Sequence, residues 1–179
     1  MNSDVAHGVG NRAKVYAMIR YEIAATTVTT APPERVLAVL DDFNNWPRWM
    51  PSLERVRIEL PPNERPRTGY RFKLHGMFVH AEMEVIDYTP LSRATRFRIS
   101  FPPFQGINRC RLMPLEDGRY RIERLDQLEL PDLVAHLIDA TQRKRFEKLA
   151  LEFLQALRRE VEQTPHATVT STPPTGRSD

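Results

Sequence analysis

Arg124 and Asp126 stand two residues apart in YRIERLDQL, residues 120–128. Tyr120, Ile122 and Leu128 alternate there with polar neighbours, the period of a strand with one buried face. Strict alternation puts Arg124 and Asp126 on the same side as those apolar residues. Opposite charges facing a core cost several kcal/mol per ion before they pair. A fold tolerates them more readily where they meet a ligand or water. An inward Arg124 could hold an enolate, carboxylate or phenolate oxygen as it gains charge. Asp126 could orient that guanidinium, or take up a proton if burial raised its pKa. Tyr120 could stack or donate a hydrogen bond. A β-bulge near Arg124 would instead turn the pair outward and bury Leu125. Alternation alone leaves both arrangements open.

Other residues are candidates for a pocket lining. Asn108 and Cys110 share a parity on the preceding strand, although a cysteine there also serves as a small core residue. Trp46 and Trp49 lie three apart in WPRW and share a helical face. They either pack this segment onto a sheet or form an aromatic wall for a flat apolar ligand, with Trp46 the better candidate. Tyr70, Phe72, Met83, Phe97, Phe101 and Leu128 complete the mostly apolar inward set. No HExxH, P-loop, GxSxG or dinucleotide fingerprint occurs. His7, His75, His80, His136 and His166 have no metal-ligand spacing. We therefore expect neither a metal nor a cofactor. The single cysteine excludes an intrachain disulfide.

The elements that position these residues can be read from the same pattern. The chain has 179 residues, 41% hydrophobic and 27% charged, which suits one domain with a real core. Polar ends at 1–14 and 164–179 read as disordered tails around a domain at 15–163. Residues 18–30 are β-prone. Pro32-Pro33-Glu34 opens a short helix through Asp42, and residues 43–53 form a short aromatic helical or turn segment broken by Pro47 and Pro51. Alternating runs follow around Ile58, Phe72, Met83, Phe97 and Ile122, with connections at 61–69, near Gly76, at 89–93, 102–106 and 115–119. His80, Glu82 and Glu84 read as a solvent face. Pro131-Asp132 suits an early turn of helix. The apolar period then becomes helical through Leu137, Ile138, Phe146, Leu149, Ala150, Phe153, Leu154, Leu157 and Val161. A helix over 141–163 would run roughly 35 Å.

The order is a strand, two short helices, about six antiparallel strands and a long amphipathic helix. It resembles the helix-grip proteins of the START/Bet v 1-like class, in particular the SRPBCC group that includes polyketide cyclases. The resemblance rests on TVTTAPPERVLAVLDDFNNWPRWMPSLERV at 27–56, FPPFQG at 101–106, LEDGRYRIE at 115–123 and the C-terminal run at 130–162. It implies an α+β fold in which a curved antiparallel sheet of about seven strands wraps a long C-terminal helix. It also implies a small hydrophobic ligand, polyketide-like or aromatic, between sheet and helix. Cofactor-independent cyclase or dehydratase chemistry would follow, with Arg124, Asp126 and Tyr120 as its catalytic group. The alternative is a non-catalytic carrier of a lipid or quinone. The chain departs from the aromatase/cyclase members in two places. It has no arginine on the strand at 77–88, and Leu53 stands where those members place a tyrosine.

Charge and hydropathy limit the partners. The net charge is +3, short of a nucleic-acid-binding composition. Between Arg93 and Arg124 there are eight arginines against three acids. This patch is either a solvated sheet face or a surface for an acidic acyl carrier protein. No apolar run approaches the roughly 20 residues of a bilayer helix, so no stable membrane insertion is expected. The N-terminus lacks a signal-like apolar stretch, so we expect a cytoplasmic protein, monomeric or homodimeric.

Overall fold

The computed structural model describes residues 18–77, 80–100, 103–131 and 140–163. Phe101, Leu137, Ile138 and both expected tails lie outside them. Strand β1 (Met18–Thr29) is followed by helix α1 (Pro33–Asp41), a single 3-10 turn at Phe43–Asn45 and the short helix α2 (Trp46–Trp49). Strands β2 (Arg57–Glu59), β3 (Arg71–His75), β4 (His80–Thr89), β5 (Ser92–Ile99), β6 (Phe104–Pro114) and β7 (Tyr120–Pro131) come next. The long helix α3 (Ala140–Gln163) closes the order.

Pro33 begins α1 because its missing N–H is not needed in a first turn. Val36, Leu37 and Leu40 make its buried stripe. In α3 the buried residues Ala150, Phe153, Leu154, Leu157 and Val161 recur at helical spacing. This stripe packs chiefly on β1 and α1.

The strands form one antiparallel sheet in the order β1-β7-β6-β5-β4-β3-β2. This is the helix-grip α+β architecture. The β1–β7 register runs unbroken from Met18–Pro131 to Thr29–Tyr120. Three rows of inward residues cross β5, β6, β7 and β1. The first is Phe97–Gly106–Leu128–Tyr21, the second Thr95–Asn108–Asp126–Ile23, and the third Arg93–Cys110–Arg124–Ala25. The core falls into two parts. One lies under α3 and includes Ile23, Leu112, Ile122 and Leu157. The other gathers Phe43, Trp46, Tyr70, Phe72 and Val85 at the far side of the sheet. Trp49 and Met50 are half-buried at the edge of both.

Several boundaries differ from the sequence reading. β5 begins at Ser92, so the expected 89–93 connection ends inside a strand. β6 begins at Phe104, so 104–106 is strand and not loop. Pro131 ends β7, and the early helical turn expected after it falls on 132–139, outside the described residues. One bulge, between Val85 and Asp87, interrupts the β4–β5 register and sets Tyr88 opposite Arg93.

Candidate functional site

The β6–β7 register is continuous through Arg124, with no bulge there. Arg124 and Asp126 therefore both face α3. Leu125 stands half-buried on the outer face, between Ala24 and Arg109. The long arm of Arg109 can shelter it, since such arms lie along apolar surface. Arg124 Nε donates to Asp126 Oδ2 at 2.8 Å. Asn108 Nδ2 donates to the other oxygen, Oδ1. Asp126 is thus occupied on both sides and acts as a brace for the guanidinium. That guanidinium lies 3.9 Å from the centroid of the Phe153 ring on α3, a cation–π seat. Trp49 packs on the same ring at 5.7 Å between centroids.

The arrangement fixes Arg124 without using all of its donors. Among the described residues its two Nη groups have no hydrogen-bond partner. The side chain keeps 19% exposure and that of Asp126 keeps 11%, although both face the helix. Phe97, Phe104, Met83 and Phe146 are likewise only half-buried while packed against the core. Solvent therefore reaches a fixed cation set among aromatic side chains on the concave side. Such a cation can accept an anionic or electron-rich oxygen.

A second interior arginine was not read from the sequence. Arg93 is 5% exposed, its Nη1 lying 2.8 Å from Asp41 Oδ1 and 2.5 Å from the Leu40 carbonyl oxygen. Trp46 Nε1 donates to the same carbonyl at 3.0 Å. Tyr88 Oη donates to Asp41 Oδ2 at 2.5 Å. Burial first, and then Asp41, pushes the Tyr88 hydroxyl up to about 12. Arg93 thus holds the end of α1 against the sheet, where carbonyls lack helical partners. Counting alternate residues back from Phe97 through Thr95 would have found it. Assigning 89–93 to a turn hid that parity. Tyr88 had no comparable signal, because the bulge breaks the period of β4.

The candidate residues separate into groups. Asn108, Cys110, Arg124 and Asp126 come together. Phe97 and Leu128 lie in the next inward row, and Met83 stands opposite Phe97 on β4. The ring of Phe97 covers Gly106: a Cβ there would lie 2.7 Å from Phe97 Cζ and 2.4 Å from the Gln127 carbonyl oxygen. Cys110 is buried, and burial pushes its thiol up against the opposing pull of Arg124 and Arg93. Trp46, the favoured tryptophan, is instead a core residue, stacked edge-on against Phe43 and Phe72 with its N–H satisfied. Trp49 is the one beside Arg124. Tyr70 and Phe72 belong to the same buried aromatic group as Trp46. Tyr120 lies four residues from Arg124 on β7, about 13 Å along the strand, beyond the buried Ile122. The structure does not bring it to the pair.

The arginine-rich stretch also divides. Arg93 and Arg124 point inward, so the outer patch is smaller than composition implies. Grooves of about 650 and 500 Å³ on the outer face meet at Arg96 and Arg98. There Arg71 and Arg96 both pair with Glu84, and Arg20 pairs with Glu129. Cations and carboxylates are interleaved, the pattern of a solvated sheet face. Among the described residues no helix is long and apolar enough to cross a membrane, and no cluster of His, Cys, Asp and Glu is placed to hold a metal ion.

Residues 20–162 match the family model described as polyketide cyclase / dehydrase and lipid transport. The chain belongs to this family. No functionally curated protein matches the sequence. Solved structures of similar fold include a Mesorhizobium loti protein at a TM-score of 0.61 and 14% identity, covering 81% of this chain and 99% of that one. Truncated norcoclaurine synthase from Thalictrum flavum superposes at a TM-score of 0.60 and 9% identity, over 83% of this chain and 98% of that one. DynU16, from the dynemicin biosynthetic locus, does so at 0.56 and 13% identity, over 79% of this chain and 47% of that one. This family member therefore shares its fold with a named synthase and with a protein of a biosynthetic locus.

Proposed function

We propose that the protein binds a small, mostly apolar molecule, polyketide-like or aromatic, in a recess between sheet and α3. It acts there as a cofactor-independent cyclase or dehydratase in a cytoplasmic biosynthetic route. The observation that carries this reading is the braced Arg124. Its guanidinium is held by Asp126, which Asn108 braces, is seated on Phe153, and keeps donors that have no partner among the described residues. A group held that rigidly needs little reorganisation to stabilise charge on an enolate or phenolate oxygen. Asp126 orients it, and Trp49 and Phe97 offer flat surface for an unsaturated ring. An acyl carrier protein would deliver such a substrate as a tethered chain.

The test uses turnover of poly-β-ketone mimics. Arg124→Gln removes the cation and is expected to lower kcat by about a hundredfold, the effect of deleting one oxyanion donor. Asp126→Asn, which loosens the brace, should lower it less. Unchanged kcat in both variants would remove these roles. A second reading, a carrier of lipid or quinone, is favoured by one feature: Asp126 has both oxygens engaged, so among the described residues no free base lies beside Arg124. Native mass spectrometry of the protein from its own cells would show a co-purified acyl lipid or quinone if that reading holds.

A further inference from the structure

Thr95 lies on β5 directly opposite Asn108, and Val85 stands opposite it on β4. Opposed residues of an antiparallel pair share a face. Asn108 bonds Asp126, and Arg124 touches Phe153, so this face is the one under α3. Thr95 is only 3% exposed, yet among the described residues its hydroxyl oxygen has no hydrogen-bond partner. A buried hydroxyl left unpaired costs roughly 1–3 kcal/mol. Valine has nearly the same shape and no such cost. A threonine here therefore gives up stability for something the ligand-free fold does not use.

The neighbours suggest what that is. Thr95, Asn108 and Asp126 form one polar row across three adjacent strands, and Arg124 stands beside its end. Strands are about 4.8 Å apart, so Thr95 and Asp126 are separated by about 10 Å. Asn108 spends its amide N–H on Asp126, and its carbonyl oxygen has no partner among the described residues. Two unengaged oxygens thus lie one strand (Asn108) and two strands (Thr95) from the strand that carries the cation.

We infer that Thr95 is a specificity-determining residue: with Asn108 it recognises a hydroxyl or carbonyl on the ligand, at a distance from the oxygen that Arg124 holds. The ligand class is then a ring or folded chain bearing oxygen at two places, as opposed to a plain acyl chain with a single polar end. This rests on the proposed ligand site and names what that site selects. Thr95 acts through ligand choice and touches no reacting atom. Because Thr95 is buried, a neighbouring side chain must shift for a ligand to reach its hydroxyl, so the preference is expressed on binding.

The test measures binding of naphthoate and of ring-hydroxylated naphthoates to wild type, Thr95→Val, Thr95→Ser and Arg124→Gln, with thermal stability followed in parallel. Wild type is expected to prefer some hydroxynaphthoate over naphthoate by about tenfold, near the energy of one hydrogen bond. Thr95→Val should abolish that preference, leave naphthoate binding unchanged, and melt at or above the wild-type temperature. Thr95→Ser should keep the preference. Arg124→Gln should weaken both ligands together. A Thr95→Val protein that still discriminates, or one that melts lower, overturns the inference and leaves the ligand site standing. Failure of wild type to bind any of these aromatic carboxylates overturns both.

Discussion

Replacing Arg93 by methionine tests whether one buried guanidinium fastens α1 to the sheet. Methionine keeps much of the aliphatic arm and vacates only the place of the guanidinium, whose carbon lies 5.4 and 5.6 Å from the Phe43 and Trp46 ring centroids, so the cavity left behind is small. What goes is the charge and its two hydrogen bonds, to Asp41 and to the Leu40 carbonyl. Removing one partner of a buried ion pair costs about 3–5 kcal/mol, because the other charge is left uncompensated. Two features reduce the loss. The Leu40 carbonyl keeps the Trp46 N–H, and the Asp41 carboxylate keeps the Tyr88 hydroxyl. Asp41 also retains 15% side-chain exposure. The expected loss is therefore near the lower end, about 3 kcal/mol. At about 2–4 °C per kcal/mol for a domain of this size, Tm falls by about 6–12 °C. Urea unfolding and calorimetry would both read it. Adding Asp41→Asn to Arg93→Met removes the orphaned charge and should restore at least about 1 kcal/mol. A single-variant loss under about 1 kcal/mol, or a double variant that is simply additive, would refute the account of Arg93 as a buried fastening.

Two further outcomes follow from local geometry. Gly106→Ala should cost about 1–3 kcal/mol, the usual range for overpacking, because the added Cβ meets the Gln127 carbonyl oxygen and the Phe97 ring. Denaturant midpoints would show it, and a neutral result would mean that Phe97 is free to leave its place over Gly106. In an alkaline titration followed by tyrosinate absorbance, Tyr88 should ionise last, at about 12 against an ordinary 10. Its folded-state proton is held more tightly than the unfolded one, so its contribution to stability is complete below pH 10 and is lost between pH 10 and about 12. Tyr88→Phe should remove that component of the alkaline destabilisation. A pH profile unchanged by the substitution would show that the Asp41 contact does not hold the proton.

The faces of the strands were legible because period-two alternation survives wherever a strand has one wet and one buried side. Parity thus groups Asn108 and Cys110 with Arg124 and Asp126, while the choice between an inward pair and a bulge near Arg124 is decided only by the unbroken β6–β7 register. Three things were not legible. Alternation says which side a residue faces but not how far along the strand it lies, so Tyr120 was grouped with a pair about 13 Å away. The choice between Trp46 and Trp49 depended on the angle at which a four-residue helix meets the sheet, and helical spacing does not contain that angle. The Asp41–Arg93–Tyr88 group needs three segments far apart in sequence and one bulge. Turn-like residues at 89–93 concealed its arginine.

The pairing of β1 with β7 has a consequence for how the molecule is made. Among the described strands, the first to leave the ribosome has as its partner the last synthesised, with Met18 meeting Pro131. Until β7 emerges, β1 has no neighbour and β6 presents an open edge that another nascent chain could occupy. The hydrogen bond from Asn108 to Asp126 can form only at that closing step. Folding of the sheet is thus held back until β7 has emerged, in the manner of topologies dominated by distant contacts. Chains cut before β7 should yield sticky, self-associating meanders and not a smaller working protein.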